Sequence, residues 1–208
     1  MIPRYQKILF VVLLVAALAM GGELWHLRQR THQQLLAGED SAPTKAPQVT
    51  PAEQANLLVA NDADGSLLMQ ARTLPLPGDS SERARAVLAE LLDIYAAPGA
   101  AHPVAGGATG IAGVFLMPAP GAKGSRDPDA QLAIVNFSSS FAANHPSGLE
   151  TETLTVLSIC GTLRANLPHV EEVRFLIDGQ QRPNLAGHAD LTRTYLTADA
   201  APTGGATQ

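Results

Sequence analysis

Residues 170–191 read Val-Glu-Glu-Val-Arg-Phe-Leu-Ile-Asp-Gly-Gln-Gln-Arg-Pro-Asn-Leu-Ala-Gly-His-Ala-Asp-Leu, and their reading decides the fold. The alternation predicts a strand, with Val173, Phe175 and Ile177 on one face and Arg174 and Leu176 on the other. Asp178-Gly179 then supplies a tight turn, because glycine accepts a positive φ and aspartate tolerates it. The tail Gly187-His188-Ala189-Asp190-Leu191 joins a hinge residue, an imidazole and a carboxylate. It is either a site or a structural clasp.

Working back from this strand, residues 148–166 form a helix, with Ser147 and Glu150 as its capping box and Pro168 as its stop. Thr153, Val156, Leu157, Cys160, Leu163 and Leu167 make its core stripe. No charge falls between Glu152 and Arg164, and Leu154 and Ile159 lie off the stripe. Such a helix is either the central core helix or a surface offered to another subunit. Gly161 interrupts it at ~1 kcal/mol relative to alanine. Cys160 reads as a small buried hydrophobe, and His169 as loop surface.

The segments before it alternate in the same way. Ala55–Asn61 and Leu67–Leu74 form a hairpin around Asn61-Asp62-Ala63-Asp64-Gly65. A calcium loop there lacks the downstream glutamate at the required offset. Asp79 caps a first helix, with Glu82 at N3 and an apolar stripe of Ala84, Val87, Leu88, Leu91, Leu92 and Tyr95, stopped by Pro98-Gly99. Gly106-Gly107 lacks the phosphate-binding spacing. Ile111–Met117 is a strand with Ile111, Phe115 and Met117 on one face. After the long loop Pro118–Ala130 comes Leu132–Phe137, with Leu132 and Ile134 opposite Ala133, Val135 and Phe137. Ser138-Ser139-Ser140 near His145 lacks G-x-S-x-G and reads as a polar strand exit. Strand, strand, helix, strand, strand, helix, strand defines an α+β fold, a small sheet with two helices packed on one face.

Composition excludes several function classes. The net charge is −5 and no Lys/Arg cluster stands out, which argues against nucleic acid. A single cysteine rules out an intramolecular disulfide, and six scattered histidines without H-x-x-x-H give zinc little support. Aromatics are only 4% of the chain, which predicts an aliphatic core.

At the N-terminus, Ile8–Gly22 carries no charge and would span ~22 Å as a helix, extended by Leu24, Trp25 and Leu27. One reading is a retained membrane anchor over residues 8–27. The other is a secretory signal peptide, with Arg4 and Lys7 before the run and an Ala17-Leu18-Ala19 cleavage site. The anchor is preferred, because the helical pattern continues to about Leu36. The layout is then 1–36 transmembrane anchor and juxtamembrane helix, 37–52 proline-rich linker, 53–199 folded domain and 200–208 flexible tail.

This order resembles the GerMN domain of bacterial sporulation and spore-germination proteins and related envelope lipoproteins. The resemblance is carried by Arg83-Ala84-Arg85-Ala86-Val87-Leu88-Ala89-Glu90-Leu91-Leu92, by Val135-Asn136-Phe137-Ser138, and by Glu152 opening the second helix. Its most specific parts are Val173-Arg174-Phe175-Leu176-Ile177-Asp178-Gly179 and Leu185-Ala186-Gly187-His188-Ala189-Asp190-Leu191. It implies a fold similar to ring-building motifs, held outside the cytoplasmic membrane. It carries no catalytic activity, so no catalytic, cofactor-binding or metal-binding residue is assigned, and the chain is read as a non-enzyme without a cofactor. The chain departs from many relatives in having no lipid-attachment cysteine and a longer Pro118–Ala130 loop. The expected function is a membrane-anchored, single-pass, extracytoplasmic domain. It would mediate interaction or assembly with envelope or membrane proteins, including self-association, in sporulation or germination. The alternative is a glycan or small-ligand binding module using Arg174, Arg182 and His188. An enzyme using His188 and Asp190 is a third, weaker reading.

Overall fold

A computed structural model describes residues 51–120 and 127–200, together with Met20 and Pro202. The expected anchor except Met20, and all of the linker except Pro51 and Ala52, lie outside the described residues. Among the described residues no helix is long and apolar enough to cross a membrane. The unit Thr50–Gln208 carries both sheets and the helices packed on them.

The first hairpin pairs β1 (Ala52–Asn61) with β2 (Ser66–Pro75) as a separate two-stranded sheet. The turn between them matches the sequence reading: Asp64 accepts bonds from the Ser66 amide at 3.0 Å and hydroxyl at 2.6 Å. α1 (Ser80–Ala96) follows, and Asp79 accepts the Glu82 amide at 2.9 Å. Its buried residues are the six apolar positions of the predicted stripe.

β3 (Ile111–Pro118) and β4 (Gln131–Phe137) are antiparallel. α2 (Ser139–Asn144) and α3 (Leu149–Asn166) then lead to β5 (Val170–Ile177), which runs parallel to β4. A two-residue β6 (Tyr195–Leu196) closes the sheet in the order β3-β4-β5-β6. α2 was missed in the sequence. The serine run is its start, with the Ser138 hydroxyl accepting the Phe141 amide at 3.3 Å.

One face of this sheet is covered by helices. Ala133, Val135, Phe137, Val173, Phe175 and Ile177 point into the core and are buried. The other face is partly open, with Leu132 on it buried and Ile134 half-buried. Here the expected phase of β3 is corrected, because a bulge between Ile111 and Gly113 adds one residue to the strand. Ile111 and Val114 therefore face the core, while Phe115 and Met117 turn outward, 59% and 45% exposed. The core is also less aliphatic than composition predicts. Every described aromatic except Phe115 is buried, and Phe137 stacks on Phe141 and Phe175 at 4.7 and 5.6 Å.

α3 is the core helix, not a surface for another subunit. Leu154, Ile159, Thr155, Ser158 and Thr162 are buried alongside Val156, Cys160 and Leu163, whereas Thr153, Leu157 and Leu167 are half-buried. Its small polar side chains close the outer edge of β1. Thr162 accepts the Leu58 amide at 2.9 Å, and Asn166 accepts the Asn56 amide at 3.0 Å while donating to the Asn56 carbonyl at 2.7 Å. Tyr95 of α1 accepts the Ala60 amide at 3.0 Å. Alternate amides of β1 thus bond to side chains, which blunts the edge without a third strand. Ala200, expected in the flexible tail, is buried against the same core.

Candidate functional site

The predicted turn after β5 has positive φ at both central residues, 49° at Asp178 and 73° at Gly179, and closes with paired bonds between Ile177 and Gln180. The chain then reaches the Gly187-His188-Ala189 loop, which curls around one side chain. Glu152 lies in the first turns of α3 and has no exposed surface. Its Oε2 accepts three amides of this loop, from Ala186 at 3.0 Å, His188 at 2.9 Å and Ala189 at 2.8 Å. Its Oε1 accepts the His188 ring Nδ1–H at 3.0 Å and the Gly148 amide at 3.2 Å. Gly187, with φ of 130°, lets three amides converge on one oxygen.

Burial alone would raise the pKa of this carboxyl. The Ala189 amide leads the opposing bonds, followed by the His188 ring and the remaining amides, and together they hold it at about 2. Glu152 is therefore an internal anion filling an amide nest. It also replaces the expected Ser147/Glu150 capping box: the N-cap is Gly148, and Glu152 takes that residue's amide.

The third reading paired His188 with Asp190, and the structure gives these residues different partners. Asp190 accepts the amide and hydroxyl of Thr192 at 2.8 and 2.6 Å, which lowers its pKa. The Ser147 hydroxyl lies 3.4 Å from His188 Nδ1, the nitrogen already facing Glu152. A nucleophile relay needs the carboxylate and the hydroxyl on opposite ring nitrogens, so this trio is a clasp. Arg174 and Arg182, grouped with His188 in the ligand reading, are likewise not brought together. Arg174 bonds to Thr194 at 3.2 Å, and Arg182 borders a shallow cleft with Ser139 and Asn184.

Sequence reasoning missed a second constellation. His102 is fully buried, with Nδ1 2.5 Å from Asp62 and Nε2 2.7 Å from the Thr155 hydroxyl. The same hydroxyl lies 2.8 Å from His145 Nε2, and His145 Nδ1 lies 2.8 Å from the Pro146 carbonyl. Burial lowers the His145 pKa. A neutral His145 must donate through Nδ1, since a carbonyl only accepts, so Nε2 receives the Thr155 O–H. Thr155 in turn accepts from His102 Nε2–H, and its hydroxyl also lies 3.1 Å from the Thr151 carbonyl. Asp62, His102 and Thr155 thus have the order of a hydrolytic triad, but Thr155 is fully buried and its hydroxyl is shared between His145 and the Thr151 carbonyl. The only signal in the sequence was the pair of His-Pro steps, His102-Pro103 and His145-Pro146.

Among the described residues, no buried side-chain nitrogen or oxygen lacks a partner, and no cluster is arranged to hold a metal. Cys160 is buried, which pushes its thiol pKa up.

A two-layer α+β domain whose closing loop is locked onto a buried helix glutamate is the class that the fold and clasp define. The profile of the Germane family, described as sporulation and spore germination, matches residues 58–183, more than half of the chain, and the chain belongs to that family. No curated protein matches it. Among solved structures, the tandem GerMN domains of the sporulation protein GerM from Bacillus subtilis align at 17% identity and a TM-score of 0.48. That alignment covers 72% of this chain and 48% of the other, so this chain spans about half of that structure. The first GerMN domain of GerM aligns at 18% identity and a TM-score of 0.42, covering 69% of this chain and 96% of that one. A protein described as a lipoprotein from Clostridium perfringens aligns at 14% and 0.39, covering 75% and 95%.

Proposed function

We propose that this chain is a non-catalytic interaction domain, anchored in the membrane through residues 8–27 and displayed at the bacterial cell envelope, where it serves assembly in sporulation or germination. The observation that carries the reading is the open face of the four-stranded sheet. Phe115, Met117 and Leu196 are all exposed on it, at 59%, 45% and 51%. Phe115 and Met117 stand together on β3 and Leu196 on the opposite edge strand, and exposed large apolar side chains of this kind mark an interaction surface. The non-catalytic part is supported by the spent chemistry of Glu152, His188, His102 and Thr155.

A photo-crosslinking residue at Met117 in the full-length protein, in living cells, tests this. Adducts to envelope proteins at position 117, and none at Arg85 on the solvated face of α1, are expected. Equal adducts at both positions, or none at either, would refute the reading. Cell fractionation of the same strain tests the anchor, which requires the chain in the membrane pellet.

A further inference from the structure

The open face is self-complementary. Strand register arranges it in rows: Met117, Leu132, Glu172 and Leu196 make one, and Phe115, Ile134 and Arg174 the next. β3 thus contributes the exposed Phe115 and Met117, β4 the half-buried Ile134 beside a buried Leu132, and β5 a carboxylate and a guanidinium two residues apart on the same face. Neither Glu172 nor Arg174 makes an ion pair among the described residues, and Arg174 has only the Thr194 hydroxyl.

We propose that this face docks on the same face of a second copy of the chain, a proposal that rests on reading the face as an interaction surface. A two-fold axis running across the strands, midway between the two rows, lays each β5 antiparallel over its mate. That single operation sets Glu172 of each copy against Arg174 of the other and Met117 against Phe115, while Leu132 is already buried within each copy. An axis along the strands would instead cross the apolar columns with the charged one. Isologous interfaces require this reciprocity of residue i on j and j on i. Four strands ~4.8 Å apart and two rows of side chains give a footprint on the order of 250 Å² a side. That is about a third of a standard ~800 Å² partner surface, so the dimer is a weak one.

Sedimentation velocity of the full 208-residue chain in detergent micelles, up to ~1 mM where contacts of millimolar strength register, tests the geometry. The wild type should associate with rising concentration. Glu172→Arg and Arg174→Glu should each be monomeric, since each faces like charge twice. Their equimolar mixture should associate again, because every cross-copy pair is then opposite in sign. Phe115→Asp should be monomeric in every mixture. Circular dichroism melts of each variant establish that it is folded. A monomeric wild type, single variants that associate as the wild type does, or a mixture no better than its components would each overturn the proposal. Adducts from position 117 to a different protein, with the wild type monomeric, would leave the interaction reading standing and remove only the self-docking.

Discussion

Replacing Glu152 by glutamine keeps the side chain's shape and removes its charge. The carboxylate accepts five bonds on two oxygens, four of them from one loop. An amide has one oxygen. If that oxygen keeps the loop amides, its NH2 group meets the Gly148 N–H, which has no alternative role, and His188 Nδ1, which can switch tautomer and accept. A carboxyl carried from the ordinary 4.5 down to about 2 is worth about 3 kcal/mol of stability at neutral pH, at ~1.4 kcal/mol per tenfold. The sign follows from the lowered folded-state value: the unfolded chain takes up the proton first. The contribution is therefore complete above pH 4.5 and is lost as pH falls towards 2. Urea unfolding followed by circular dichroism at two pH values measures it. Glu152→Gln should lie about 3 kcal/mol below the wild type at pH 7 and only about 1 kcal/mol below it at pH 3. A deficit under ~0.5 kcal/mol at pH 7, the size of an ordinary surface change, would refute the clasp. So would a deficit equal at both pH values.

Two further outcomes derive from the same core. Because burial lowers the folded-state pKa of His145 below 6.5, its contribution to stability is present above pH 6.5 and fades as pH falls through the lower folded value. Proton NMR should show this ring titrating below 6.5, and a midpoint at or above the ordinary histidine value would contradict the buried neutral assignment. Gly161→Ala would place a methyl 2.4 Å from Leu58 Cδ2 and 2.9 Å from the Ala200 carbonyl oxygen. Overpacking at ~1–3 kcal/mol should outweigh the ~1 kcal/mol gained in helix propensity, lowering the urea midpoint. An unchanged or raised midpoint would show that this close approach is relaxed in solution.

The elements with one solvated face were legible in the sequence. α1 has a buried stripe and a charged back, so period and burial coincide residue by residue. β5 alternates for the same reason, and its turn is written in Asp178-Gly179. α3 was not legible to that depth. It is covered on most sides, and the positions facing β1 are Thr162 and Asn166, small polar groups that a hydrophobic pattern scores as surface. Only the backbone amides they satisfy explain them. The phase of β3 failed because a bulge leaves no mark in composition, and it parted Ile111, which enters the core, from Phe115 and Met117. The clasp was half legible. Gly187 and His188 stood out as a motif, but their partner lies 36 residues away from His188, on α3. The His102–His145 chain joins Asp62, Thr155 and two loops, and no spacing rule connects them.

Two routes of self-association differ in what they demand of the side chains. In the four-stranded sheet the edges offer little. β6 is two residues long, and the Leu116 amide of the β3 edge meets the Ser81 hydroxyl at 3.4 Å. The outer edge of β1 is closed by Thr162, Asn166 and Tyr95. β2 is different: it has no third strand beside it, and Leu68 and Met69 are 42% and 54% exposed. Strand addition at β2 would run on backbone hydrogen bonds, which form whatever the charge of residues 172 and 174. Docking through the sheet face depends on those charges and on Phe115. Rescue in the mixture of Glu172→Arg and Arg174→Glu is therefore an outcome that strand addition cannot produce. Association indifferent to both substitutions but abolished by a proline at Ala71, opposite Asn56, whose amide points away from β1, would move the interface from the sheet face to the hairpin edge.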